Sequence, residues 1–121
     1  MFITFTGVNF TSKSILKKEF DNGNIPLERD ITGHKLIKEY VSVDHTIPKR
    51  KGGKSELANY SLMDIVANGK RSDKPIKQVI NLESLIEYIR VFLDVKTEDF
   101  DGIEYLRQWL KVLQRAVKEG K

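Results

Sequence analysis

Cysteine is absent from this chain, which excludes a disulfide framework and any structural zinc held by thiolates. Histidine is scarce, with His34 and His45 alone, so a zinc site would need both together with carboxylates. No apolar run approaches the roughly 20 residues that a membrane-spanning helix requires, and no membrane partner is expected. The opening Met1–Thr6 has no cationic stretch and is broken by threonine, unlike a secretion signal. A cytoplasmic location is therefore the expectation. There is no internal repeat, low-complexity tract or interdomain linker. What remains is ordinary for a globular protein: 40% hydrophobic and 31% charged residues over 121 positions, enough for a single domain (1–121) with one core.

Aromatic and β-branched residues from Phe2 to Phe10 suggest a strand, and Thr11 or Ser12 is placed to cap a short helix running through Phe20. Asp21-Asn22-Gly23-Asn24-Ile25-Pro26 is a turn signal. Leu36 to Asp44 reads as a strand with Leu36, Tyr40 and Val43 inward, and Pro48 with Gly52-Gly53 forces an irregular loop. A second short strand is expected near Tyr60-Ser61-Leu62. Two firmer helices follow, at about 82–94 and 98–118, with Asn81 and Thr97 as their caps. Leu82, Leu85, Ile86, Ile89 and Leu93 recur at helical spacing in the first. Ile103, Leu106, Leu110, Leu113 and Val117 form a 3-4-3-4 rhythm in the second. The spacing favours an antiparallel hairpin packed on the core and hence a monomer, with a short coiled-coil dimer seam as the alternative. Trp109 is expected to pack there, not to read a base.

Charge is unevenly distributed. Residues 33–77 hold ten Lys/Arg against five Asp/Glu, residues 1–32 four against four, and residues 78–121 seven against eight. The positive excess therefore lies in one segment, as a phosphate-binding face requires. That segment contains Val43-Asp44-His45-Thr46-Ile47-Pro48-Lys49-Arg50-Lys51-Gly52-Gly53, then Asn59, then Asn68-Gly69-Lys70-Arg71-Ser72-Asp73-Lys74-Pro75. A carboxylate, an imidazole and two carboxamides among cations suit phosphodiester hydrolysis: a base for water, oxygen ligands for a hard cation and counter-charges for flanking phosphates. Lys49, Arg50, Lys51 and Lys54 on the loop, with Lys70, Arg71 and Lys74 beyond Asn68, are the candidate phosphate contacts. His34 reads as a surface or structural residue.

Asp44-His45, fourteen residues to Asn59 and nine more to Asn68 resembles the HNH (His-Me finger, ββα-metal) endonuclease family. In motif it is most similar to the HNH nuclease domain of RNA-guided CRISPR effector nucleases, where a "VDH.IP" strand end precedes an Asn and then an "N..(K)SD..P" helix. The resemblance covers roughly residues 40–76. It implies an α+β fold with a ββα-metal motif (core about 36–76), flanked by an N-terminal strand and short helix and a C-terminal helical hairpin. Asp64 or a neighbour would open the helix carrying Asn68. His45 would be the general base, and Asp44 and Asn68 the side-chain ligands of one Mg²⁺ or Mn²⁺. Asn59 would join the catalytic set by pinning the loop and orienting the imidazole. The absence of cysteine suits the CRISPR-type domains, which lack the zinc knuckle of many small HNH proteins. DNA is the implied partner, and a larger protein that lends specificity is a further candidate. The alternative is a non-catalytic protein of this fold that binds nucleic acid or a larger nuclease. Adjacent strand residues point to opposite faces, so Asp44 and His45 can share a site only where the strand ends.

Overall fold

Strand β1 (Val41–His45) pairs antiparallel with β2 (Tyr60–Asp64), Val41 opposite Asp64 and His45 opposite Tyr60. The structure, a computed structural model, describes residues 12–121; the strand expected over residues 2–10, and Thr11, lie outside them. Helix α1 (Ser12–Asp21) precedes the hairpin, and α2 (Ile65–Arg71) follows β2 directly. A single-turn helix α3 (Ile76–Val79) leads to α4 (Leu82–Leu93) and α5 (Gly102–Glu119). The fold is mixed α+β, with a small two-stranded sheet and several helices.

Each boundary has a local cause. The Asp64 carboxylate accepts from Val66 N at 3.1 Å and Ala67 N at 3.0 Å, so the last residue of β2 caps α2. Residues 38–40 are a 3₁₀ turn, which delays β1 to Val41 instead of Leu36. Asn81 caps α4 as expected, accepting from Ser84 N at 3.0 Å. The cap of α5 is Asp101, not Thr97, and the helix starts at Gly102, not at 98. Residues 96–101 close a bridged turn first, with Thr97 N donating to Phe100 O at 2.8 Å. A Cβ at Gly102 would lie 2.0 Å from Phe92 O, so glycine alone lets α5 start against the end of α4.

The two long helices pack antiparallel: Tyr88 stacks on Trp109 at 4.8 Å and Phe92 meets Tyr105 at 4.9 Å. Their inward faces coincide with the leucine rows only in part. On α4 they are Ser84, Tyr88, Val91 and Phe92; on α5 Tyr105, Leu106, Trp109, Leu113 and Ala116. Leu82, Ile86 and Ile103 are exposed. The cause lies at β2. A two-stranded sheet leaves the outer edge of that strand without backbone partners, and tyrosine hydroxyls supply them. Leu62 N donates to Tyr88 Oη at 3.2 Å, and Tyr105 Oη donates to Tyr60 O. Trp109 Nε1 donates to Ser61 Oγ at 2.8 Å. Burial pushes both phenols above their ordinary value, so they stay neutral donors. The helical pair thus clamps β2, the strand that feeds the helix carrying Asn68. No helix among the described residues is long and apolar enough to cross a membrane.

Candidate active site

At the exit of β1, the side chains of Ser42 and Asp44 both engage α2. Asn68 Nδ2 donates to Ser42 Oγ at 2.9 Å, and Arg71 Nη1 donates to Asp44 Oδ2. Residues two apart on a strand and three apart on a helix therefore meet in register. Asp44 and Asn68 are brought to the same strand–helix seam.

Arg71 was expected among the phosphate contacts; instead it is buried, with 1% of its surface exposed. Besides Asp44, its guanidinium donates to His45 O at 2.9 Å, Thr46 O at 2.8 Å and Lys74 O at 3.0 Å. One side chain thus fixes the end of β1, the carboxylate and the turn after α2. That turn holds Ser72 at φ 51°, a left-handed value that a non-glycine residue adopts at a cost of about 1–3 kcal/mol. The bend brings the Lys74 carbonyl back to Arg71. Helical spacing carried the signal for Arg71: it lies four residues after buried Ala67, on the inward face of α2.

Asp44 is buried with its partner. Burial raises its carboxyl above the ordinary 3.8, and the charge and hydrogen bond of Arg71 pull it only part of the way back. The charge of His45 acts in the same lowering direction, so the imidazole lies within electrostatic reach of the carboxylate. The half-buried His45 ring meets Tyr60 edge-on at 5.1 Å, and its Nε2 lies 3.2 Å from Ser55 Oγ. Asp44 is directed at α2 and His45 at the loop, the divergence that strand alternation imposes.

The loop from Thr46 to Asn59 is closed by Asn59, whose Oδ1 accepts from Ile47 N at 2.8 Å. Its Nδ2 donates to Ile47 O at 3.0 Å and Lys54 O at 2.9 Å. The carboxamide is buried and spent on loop backbone, and through that backbone it bears on Ser55, the neighbour of His45. A Cβ at Gly53 would lie 1.7 Å from Ile47 O, so the tight return needs glycine there. Lys49 and Arg50 sit exposed on a 3₁₀ turn with half-buried Lys51, and Lys54 is exposed. Arg50 reaches Asp73 at 3.4 Å, an exposed pair joining loop and turn. Lys70, on α2, and Lys74, in the turn after it, are exposed.

Among the described residues no group of three or more His, Cys, Asp and Glu is arranged to hold a metal ion. Asp44 and Asn68 are nevertheless oxygen donors of the type a hard cation with retained waters takes. Such an ion would share the Asp44 carboxylate with Arg71.

No family model matches the chain, and no curated protein or solved structure matches it either. The likeness to HNH endonucleases therefore stands on the motif residues alone.

Proposed function

We propose that the chain is a metal-dependent phosphodiesterase of the HNH kind, with β1, β2 and α2 as its ββα-metal unit and DNA as its substrate. The observation that carries this reading is the seam itself: one strand end presents Asp44 and His45, and the helix packed against it presents Asn68. His45 takes the proton from the attacking water as a neutral imidazole. Asp44 and Asn68 hold one Mg²⁺ or Mn²⁺, which supplies charge neutralisation at the scissile phosphate and the leaving oxygen when bound. Ser55 and Tyr60 fix the ring, and Asn59 fixes the loop bearing Ser55. Lys49, Arg50, Lys51 and Lys54 give the backbone its counter-charge without reading sequence.

One observation favours a second reading. Arg71 already gives Asp44 a buried cation, as a domain that binds nucleic acid or a larger nuclease without cutting would retain. Calorimetry with Mn²⁺ separates the two. Hydrolysis requires binding that Asp44→Ala or Asn68→Ala weakens and His45→Ala largely keeps. No Mn²⁺ binding by the unsubstituted protein would leave the binding-only reading. In parallel, supercoiled plasmid should be nicked with Mg²⁺ or Mn²⁺ and left intact with EDTA.

A further inference from the structure

Behind α2, away from the loop, lies a cleft of about 240 Å³ lined by Thr32, His34, Ala67, Lys70, Arg71, Lys74 and Val79. No carboxylate lines it. Arg71 is spent on Asp44, but neither Lys70 nor Lys74 has an acidic partner among the described residues. Two ammonium groups lining one concavity without an acidic partner make it attractive to an anion.

The opposite wall is built for direction. Asp30, fully buried, accepts from Thr32 N at 2.9 Å, Thr32 Oγ1 at 2.6 Å and His34 N at 3.0 Å through Oδ1. Its Oδ2 accepts from Asp64 N at 2.8 Å, which ties the turn to the residue that caps α2. The two walls are therefore held by one carboxylate. Arg29 Nη1 donates to Gly33 O at 2.9 Å and braces the turn from outside. Thr32 Oγ1 lies 2.7 Å from His34 Nδ1. With the hydroxyl proton given to Asp30, that oxygen accepts from Nδ1–H, and the ring is oriented by it. Nε2 of His34 has no hydrogen-bond partner among the described residues.

We propose that this cleft is a phosphate subsite, in which Lys70, Lys74 and His34 grip one backbone phosphate of the nucleic-acid strand that runs on to Asp44 and His45. It deepens the reading above and rests on it for the identity of the strand. Arg71 joins the two places: one face of its helix turn meets the carboxylate, and its neighbours Lys70 and Lys74 meet the phosphate. The arrangement fixes the strand's path over α2 and carries no base readout, as phosphate contacts do not.

The test uses the full chain carrying His45→Ala, which leaves His34 as its one imidazole, so a single ring resonance reports on the cleft. Titration with a short DNA duplex should shift that resonance saturably, and inorganic phosphate should shift it in the same direction at much higher concentration. Adding His34→Gln and Lys74→Gln should weaken duplex binding about tenfold and lower the salt slope by slightly under one unit per lost contact. Both positions are exposed, so the fold should hold. Four results would overturn the subsite: duplex binding that leaves the His34 resonance unmoved, a response to phosphate alone, an equal response to oligoglutamate, or unweakened binding in the substituted protein. Plasmid nicking by the unsubstituted chain is read separately. A responding cleft without nicking removes the hydrolase and keeps the site; nicking with a silent His34 does the reverse.

Discussion

Asp44 carries opposed demands: burial disfavours its charge, while Arg71 and the proposed hard cation both need it. A carboxyl raised above 3.8 binds its proton more tightly folded than unfolded. Its contribution to stability is then largest below 3.8 and is lost as pH climbs through the folded value. Asp44→Asn should accordingly gain on the unsubstituted protein as pH rises through that window, measured by urea unfolding at several pH values. The opposite trend would mean that Arg71 outweighs burial. Ser72, at φ 51°, offers a simpler check. Ser72→Gly should leave stability unchanged or raise it, since glycine adopts that backbone without a steric penalty.

Among the elements, the seam between β1 and α2 decides whether a site exists. Removing Arg71 strands a buried carboxylate and leaves three carbonyls without their donor, so Arg71→Met should cost about 3–5 kcal/mol. The pair Arg71→Met with Asp44→Val should recover much of that loss, because a well-packed apolar pair can replace a buried ion pair. Equal unfolding midpoints for the single and double variants would show that the clasp works through its carbonyl contacts alone. Part of this seam was legible in the sequence. Pro48 and Gly52-Gly53 announced the loop, and the spacing of Asn59 and Asn68 placed the carboxamides. Arg71 was not legible as a buried residue, because Lys70-Arg71 reads as a solvated pair until α2 is known to turn position 71 inward. His34, read as a surface or structural residue, is exposed; the Asp30 cluster itself went unread for a related reason, since one carboxylate bonds three donors in its own turn and a fourth on β2, which no spacing rule marks.

At the scale of the whole molecule, the leucine rows of α4 and α5 gave the helices correctly and their inward faces in part: Leu106 and Leu113 are core, whereas Leu82, Ile86 and Ile103 are exposed. Periodicity registers apolar area; here hydroxyl-bearing aromatics won the interior because the edge of β2 needs donors and acceptors that leucine lacks. Leu106 is buried and Leu110 only half-buried. Leu106→Ala should therefore cost about 2–5 kcal/mol and Leu110→Ala clearly less, by thermal or urea unfolding. Since Leu106 and Leu113 belong to the monomer core, the two-heptad seam has lost two of its members, and sedimentation should find a monomer. A dimer dissolved by Leu82→Asp would instead assign the exposed apolar row of α4 to self-association.

The hydrolytic role proposed for the β1–α2 seam is tested most directly by single-turnover cleavage of supercoiled plasmid with Mg²⁺, comparing the unsubstituted protein with His45→Ala purified in parallel. Loss of a general base should slow cleavage by about 10²-fold or more, with the circular-dichroism spectrum unchanged. Equal rates in the two proteins, or no cleavage by either, would contradict the assignment of His45 and with it the hydrolase.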